Sequence, residues 1–134
     1  MTFLRGRSAL GLLALRLVAG LAFMFHGWGK IQHPFTWMGP DSSMPHILQS
    51  FAAVSEFGGG LAWILGLLTP LASLGILVTM AVAVCVHLSM GAPFVGEHGF
   101  EPALVYLAMA LLFMLAGPGA FSLDALIFGR RREP

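Results

Sequence analysis

The amino-acid sequence specifies an all-α integral membrane protein: a four-transmembrane-helix bundle with N- and C-termini cytoplasmic and a short C-terminal interfacial segment. Three observations carry that reading. Of the 134 residues, 57% are apolar and only 10% charged, with a mean hydropathy of +0.86. A soluble domain keeps about a quarter of its residues charged to wet its surface. Four apolar runs approach the roughly 20 helical residues that cross about 30 Å of hydrocarbon. The basic residues gather at the two ends of the chain, as a positive-inside bundle with an even number of helices requires.

The composition also excludes whole classes of function. Seven basic and six acidic side chains cannot cover a soluble enzyme, and a formal net charge of +1 gives no electrostatic capture of nucleic acid. One cysteine, Cys85, rules out an internal disulfide, a CxxC redox pair and a cysteine-rich metal site. Cys85 is expected to fill a small buried apolar position, and no metal ligand set is predicted.

Residues 9–29 form the first expected span, apolar except for Arg16 and His26. Arg5 and Arg7 ahead of Leu-rich sequence imitate a secretory signal, but Arg16 interrupts the apolar region and the run continues to Gly29, so the helix is read as retained. The second span, 47–68, contains Glu56; Ser42 and Ser43 precede it as candidate caps, with Pro45 in its first turn. Thr69-Pro70 makes a short turn into the third span, 71–90, which places those two helices side by side and antiparallel. The fourth, 101–117, opens on Glu101 and Pro102 and stops at Gly117-Pro118-Gly119. Residues 121–128 are apolar but too short to span, and with Arg130, Arg131 and Arg132 behind them they read as a segment on the inner surface. The whole of 1–134 is thus one transmembrane domain. The loops 30–46 and 91–101 then face outward, with Trp28, Phe35 and Trp37 as an aromatic belt.

Ionisable residues inside a span cost about 2.5–3.5 kcal/mol by insertion scales and therefore seek partners in the protein interior. Rise per residue puts Arg16 about 10 Å and Glu56 about 18 Å from the cytoplasmic end, with His26 and His87 near 25 Å. Arg16, His26 and Lys30 fall within an arc of about 80° on the first helix. Two layers follow. The inner is an intramembrane ion pair of Arg16 with Glu56, for which Asp124 is a competing partner. The outer is a polar pocket of His26, Lys30, His87 and Glu101, near Glu97 and His98. It suits a polar head group, a quinone or a small anion. Haem is disfavoured, because histidines near the interface more often form simple hydrogen bonds. Gly20 and Gly27 allow another helix to approach closely.

The same residues carry a family resemblance. Arg16-Leu17-x-x-Gly20, His26-Gly27-x-x-Lys30, Glu56-x-x-Gly59-Gly60, Gly66-Leu67-x-Thr69-Pro70, Gly99-x-Glu101 and Ser122-Leu123-Asp124 stand in an order that resembles the DoxX family. The resemblance implies a four-helix protein of the bacterial inner (plasma) membrane. It marks Arg16, His26, Lys30, Glu56, Glu101 and Asp124 as the positions that matter. It further implies a link to quinone-dependent oxidoreductases of the thiosulfate:quinone type, as a small membrane subunit, and to thiol and oxidative-stress systems.

Two functions compete. One is a redox-linked membrane subunit that binds a quinone near the outer face. The other is a non-catalytic accessory subunit of a larger membrane complex, braced through its glycine faces. A solute carrier ranks behind both, since the paired interrupted helices of a midplane transport site are missing. The expected partners are the lipid bilayer and either further copies of the chain or the subunits of a larger complex. No catalytic residue is singled out.

Overall fold

The computed structural model describes residues 2–129. Among them are five helices and no strand: α1 (Thr2–Gln32), α2 (His46–Leu65), α3 (Thr69–Ser89), α4 (Glu101–Ala116) and α5 (Leu123–Phe128). Arg130, Arg131 and Arg132 lie outside the described residues. Gly6–Gln32 and Thr69–Ser89 are each long and apolar enough to cross a membrane, and Glu101–Ala116 is a shorter apolar helix. Large apolar side chains cover the outside: Val18, Phe25 and Leu115 are all more than 70% exposed. Water does not tolerate so much contiguous apolar surface, whereas lipid does.

The backbones pack in chain order, α1 on α2, α2 on α3 and α3 on α4. Small residues set the spacing. A Cβ at Gly20 would lie 2.6 Å from the Gly60 carbonyl oxygen, and one at Gly27 would lie 2.6 Å from the Phe57 nitrogen. The close approach foreseen at Gly20 and Gly27 is therefore made within the chain, to α2. Aromatic rings then close the ring of helices. Trp63 of α2 meets Phe23 at 5.5 Å and Phe113 at 4.8 Å between centroids, and Phe23 meets Tyr106 of α4 at 4.7 Å. The Trp63 indole N–H, buried in this core, donates to Ser73 Oγ at 2.9 Å.

Helix ends differ in detail from the sequence expectations. Pro45 is itself the residue before α2, and no side chain caps that helix; Ser42 Oγ instead accepts from Met44 N within the loop. Thr69 and Pro70 open α3, and the turn consists of residues 66–68. Gly66 adopts φ 64° and Leu68 φ 49°, both left-handed. Pro102 does sit in the first turn of α4, which ends at Gly117. Ser122 caps α5 by accepting from Ala125 N. Cys85 is exposed on the outside of the bundle, contrary to the buried position expected of it. With apolar solvent outside, a thiol gains nothing by facing inward.

Candidate functional site: a polar cavity at the loop end of the bundle

At the end where α1 stops and α2 begins, all four long helices line one cavity of about 270 Å³. Its polar groups are His26 and Lys30 from α1, Glu56 from α2, His87 from α3 and Tyr106 from α4; Phe23, Met80, Ala83 and Ala103 supply apolar wall. Three of the four residues assigned to an outer pocket, His26, Lys30 and His87, thus meet there. The fourth, Glu101, heads α4 but is not among the lining residues, whereas its neighbours Gly99 and Pro102 are. Glu97 and His98 are exposed in the preceding loop.

Glu56 belongs to this cavity and not to an inner layer. Lys30 Nζ donates to both its carboxylate oxygens, each at 2.7 Å, and the Glu56 side chain is 4% exposed. Arg16 does not pair with it. Cα–Cβ bonds tilt toward a helix's N-terminus. Along antiparallel α1 and α2 this tilt carries Arg16 and Glu56 apart, and carries Lys30 and Glu56 together. Counting rise alone conceals the effect. The ammonium of Lys30 also lies over the Trp37 ring, 4.4 Å from its centroid, in cation–π contact.

Trp37 turns inward, away from the aromatic belt expected of it, because its indole N–H donates to Gln49 O at 2.9 Å. Gln49 is buried and holds the same loop from both ends of its amide, with Met38 N donating to Oε1 and Nε2 donating to Met44 O. A half-buried tryptophan on a pinned loop thereby covers Lys30. His87 is held as well: its Nδ1 lies 2.7 Å from the Ala83 carbonyl oxygen, one turn back on α3. His26 makes an edge contact with Tyr106 at 6.2 Å between ring centroids.

Arg16 serves the opposite end. It is buried, and among the described residues its hydrogen bonds run to backbone carbonyls: Nε to Trp63 O at 2.8 Å, Nη1 to Pro118 O at 2.6 Å and Phe121 O at 2.9 Å, Nη2 to Ile64 O at 3.2 Å. Trp63 and Ile64 are in the last turn of α2, whose carbonyls have no partners within the helix. Asp124 is likewise no partner of Arg16 in a hydrogen bond. Its carboxylate accepts from Leu68 N at 2.7 Å and Thr69 N at 2.9 Å, at the start of α3. One cation closes the negative end of one helix and one anion closes the positive end of the next. This pair of contacts is architectural and lines no part of the cavity.

The DoxX family profile matches residues 11–89 of the chain, which include Arg16, His26, Lys30, Glu56 and His87. The chain belongs to the DoxX family. Among its relatives is the inner membrane protein YqjF of Escherichia coli (strain K12), 33% identical over 124 residues, 87% of this chain and 92% of that one. An uncharacterized protein of Haemophilus influenzae is 32% identical over 118 residues, 85% of this chain and 88% of its own. No solved structure matches. This small membrane protein therefore has its DoxX motif residues divided between two tasks. Lys30, Glu56 and His26 build the cavity, while Arg16, Gly66 and Asp124 build the turn beneath it.

Sequence reasoning missed one cavity residue, Tyr106, placed Glu56 in another layer, and gave Trp37 no part in covering Lys30. Tyr106 is the only tyrosine of the chain, in an otherwise apolar helix and one turn after Pro102, which was the signal available. Trp37 gave no such signal, because its position depends on how the loop folds over Gln49.

Proposed function

We propose that this DoxX protein crosses the bacterial inner membrane four times with both termini in the cytoplasm, and that it acts as a redox-linked subunit holding a quinone-type ring in the outward-facing cavity. The observation that carries this reading is the convergence of His26, Lys30, Glu56, His87 and Tyr106 on one space of about 270 Å³ with aromatic and aliphatic walls. Apolar walls with a few polar groups characterise small-molecule sites, which run about 300–1,000 Å³ for larger ligands. The volume here suits a single ring. Ionisable groups within an apolar bundle are costly, and that expense is typical of ligand and proton sites. The basic ends of the chain and the single lysine of the 30–46 loop support the orientation. The printed name of the Escherichia coli relative supports the compartment.

The accessory-subunit reading rested on glycine faces left open to a partner. Gly20 and Gly27 instead contact α2 of the same chain.

Native mass spectrometry of the protein, extracted gently from its own membranes, tests the proposal. The expected result is a mass increment equal to a quinone, lost in His26→Ala with the fold retained. A bare chain, or one associated only with other proteins, would move the function to the accessory role.

A further inference from the structure

The hydrogen-bonding capacity facing the cavity is lopsided. Lys30 is its one permanent donor, and that ammonium is committed to both oxygens of Glu56 and to the face of Trp37. Glu56 as a carboxylate only accepts, and two bonds from Lys30 leave lone pairs unused. His87 is fixed by simple chemistry. The Ala83 carbonyl oxygen can only accept, so Nδ1 must carry the proton, and the neutral ring then presents Nε2 as an acceptor. His26 and Tyr106 each donate or accept. With Lys30 committed to Glu56, the fixed groups left to meet a ligand are therefore acceptors.

From this inventory we infer that the cavity selects the reduced, hydroxyl-bearing form of the ring, a para-quinol, over the quinone. The inference rests on the quinone-ring reading above and deepens it. A quinone offers two carbonyl oxygens, which are acceptors only. Set against Glu56 and His87 they meet no donor, so a quinone can pair only with His26 or Tyr106 and leaves the two fixed acceptors unused. A quinol offers two O–H donors, one for a carboxylate and one for an imidazole nitrogen, and leaves the Lys30–Glu56 pair intact. Hydrogen bonds to an ionised acceptor are the strong ones. Binding of this kind forms and breaks no covalent bond.

The test is equilibrium binding to the full-length protein in detergent, under anaerobic conditions, of three probes. They are 2,3-dimethoxy-5-methyl-6-decyl-1,4-benzoquinol, the corresponding quinone, and the dimethyl ether of the same quinol. The expected result is a quinol affinity about tenfold or more above the quinone, as one charge-assisted hydrogen bond supplies. The ether, with the same ring but no donor, binds no better than the quinone. His87→Phe should narrow the preference by about threefold, since it removes the neutral acceptor and leaves the charged one at Glu56. Quinone binding equal to or tighter than quinol overturns the preference while leaving the ring-binding reading in place. So does an ether that binds as well as the quinol, or a preference undiminished in His87→Phe. Absence of binding by all three probes overturns both.

Discussion

Lys30 and Glu56 are the residues whose energetics decide how the cavity is held. Removing two charges from water is expensive, and an ion pair recovers that cost only with good geometry. Here both carboxylate oxygens are met at 2.7 Å, with side-chain exposures of 25% for Lys30 and 4% for Glu56. Glu56→Leu should cost about 2–3 kcal/mol, less than the full penalty for a broken buried pair because Lys30 retains some solvent contact. The double variant Lys30→Met, Glu56→Leu should regain most of that stability while losing the polar cavity. Denaturation midpoints in detergent, compared across the two variants, separate these effects. A double variant as unstable as the single would show that the pair is valued for its surroundings and not for its charge. Arg16 obeys a different logic. Its planar fork reaches four carbonyl oxygens on two segments, a geometry that a lysine ammonium cannot reproduce. Arg16→Lys should lower stability by about 2–4 kcal/mol, since at least two charge-assisted bonds are lost. Ligand binding measured on the folded fraction should not change.

The turn between α2 and α3 is the element on which the inner end depends. Gly66 ends α2 in a left-handed conformation, and a Cβ there would lie 2.5 Å from Ser122 Cβ and 2.7 Å from Arg16 Nη2. Gly66→Ala therefore meets both a backbone penalty and a collision with the cap itself, for a combined cost of about 2 kcal/mol or more. Leu68 holds φ 49° without glycine's freedom, and the bond from its N–H to Asp124 helps keep it there. Asp124→Ala should cost about 1–2 kcal/mol by releasing two N–H groups at the head of α3; an unchanged unfolding midpoint would dismiss the cap. Between α1 and α2 the glycines leave no room. Gly20→Leu and Gly27→Leu should prevent the two helices from closing, so the variants fail to fold and do not merely lose a partner. Much of this was legible in the sequence. The interruptions at Arg16, His26, Lys30, Glu56 and His87 marked where polarity had to be satisfied, and Gly117 and Pro102 marked ends that the structure keeps. The pairing was not legible. Rise per residue gives height but omits the tilt of Cα–Cβ bonds, which is why Glu56 appeared to belong with Arg16. Nor does periodicity reveal that carbonyls at a helix end can replace a carboxylate as the partner of an arginine, or that Asp124 would turn to α3.

Taken as one molecule, the protein is a bundle with a tied end and an open end. Arg16 and Asp124 close one pole through backbone groups, and the other pole keeps a cavity whose Lys30 is covered by Trp37, on a loop pinned through Gln49. In the proposed topology the tied end would face the cytoplasm and the cavity would face outward. Reporter fusions check it. A periplasm-dependent reporter should be active when fused after residue 40 or residue 95, and a cytoplasm-dependent one when fused at the C-terminus. The opposite pattern would invert the site. Exposed Val18, Phe25 and Leu115 place lipid around the bundle, so an apolar ring arriving from the bilayer would need no aqueous path. The central claim is that such a ring settles among the polar residues and not in an outer groove. Photoaffinity labelling in intact membranes with an azido-quinone, followed by peptide mapping, addresses that claim most directly. The account predicts label on α1 around His26 and on α4 around Tyr106, competed by unlabelled quinol. Label confined to the apolar groove between α2 and α3, around Phe51 and Leu74, or labelling that no quinol displaces, would contradict it.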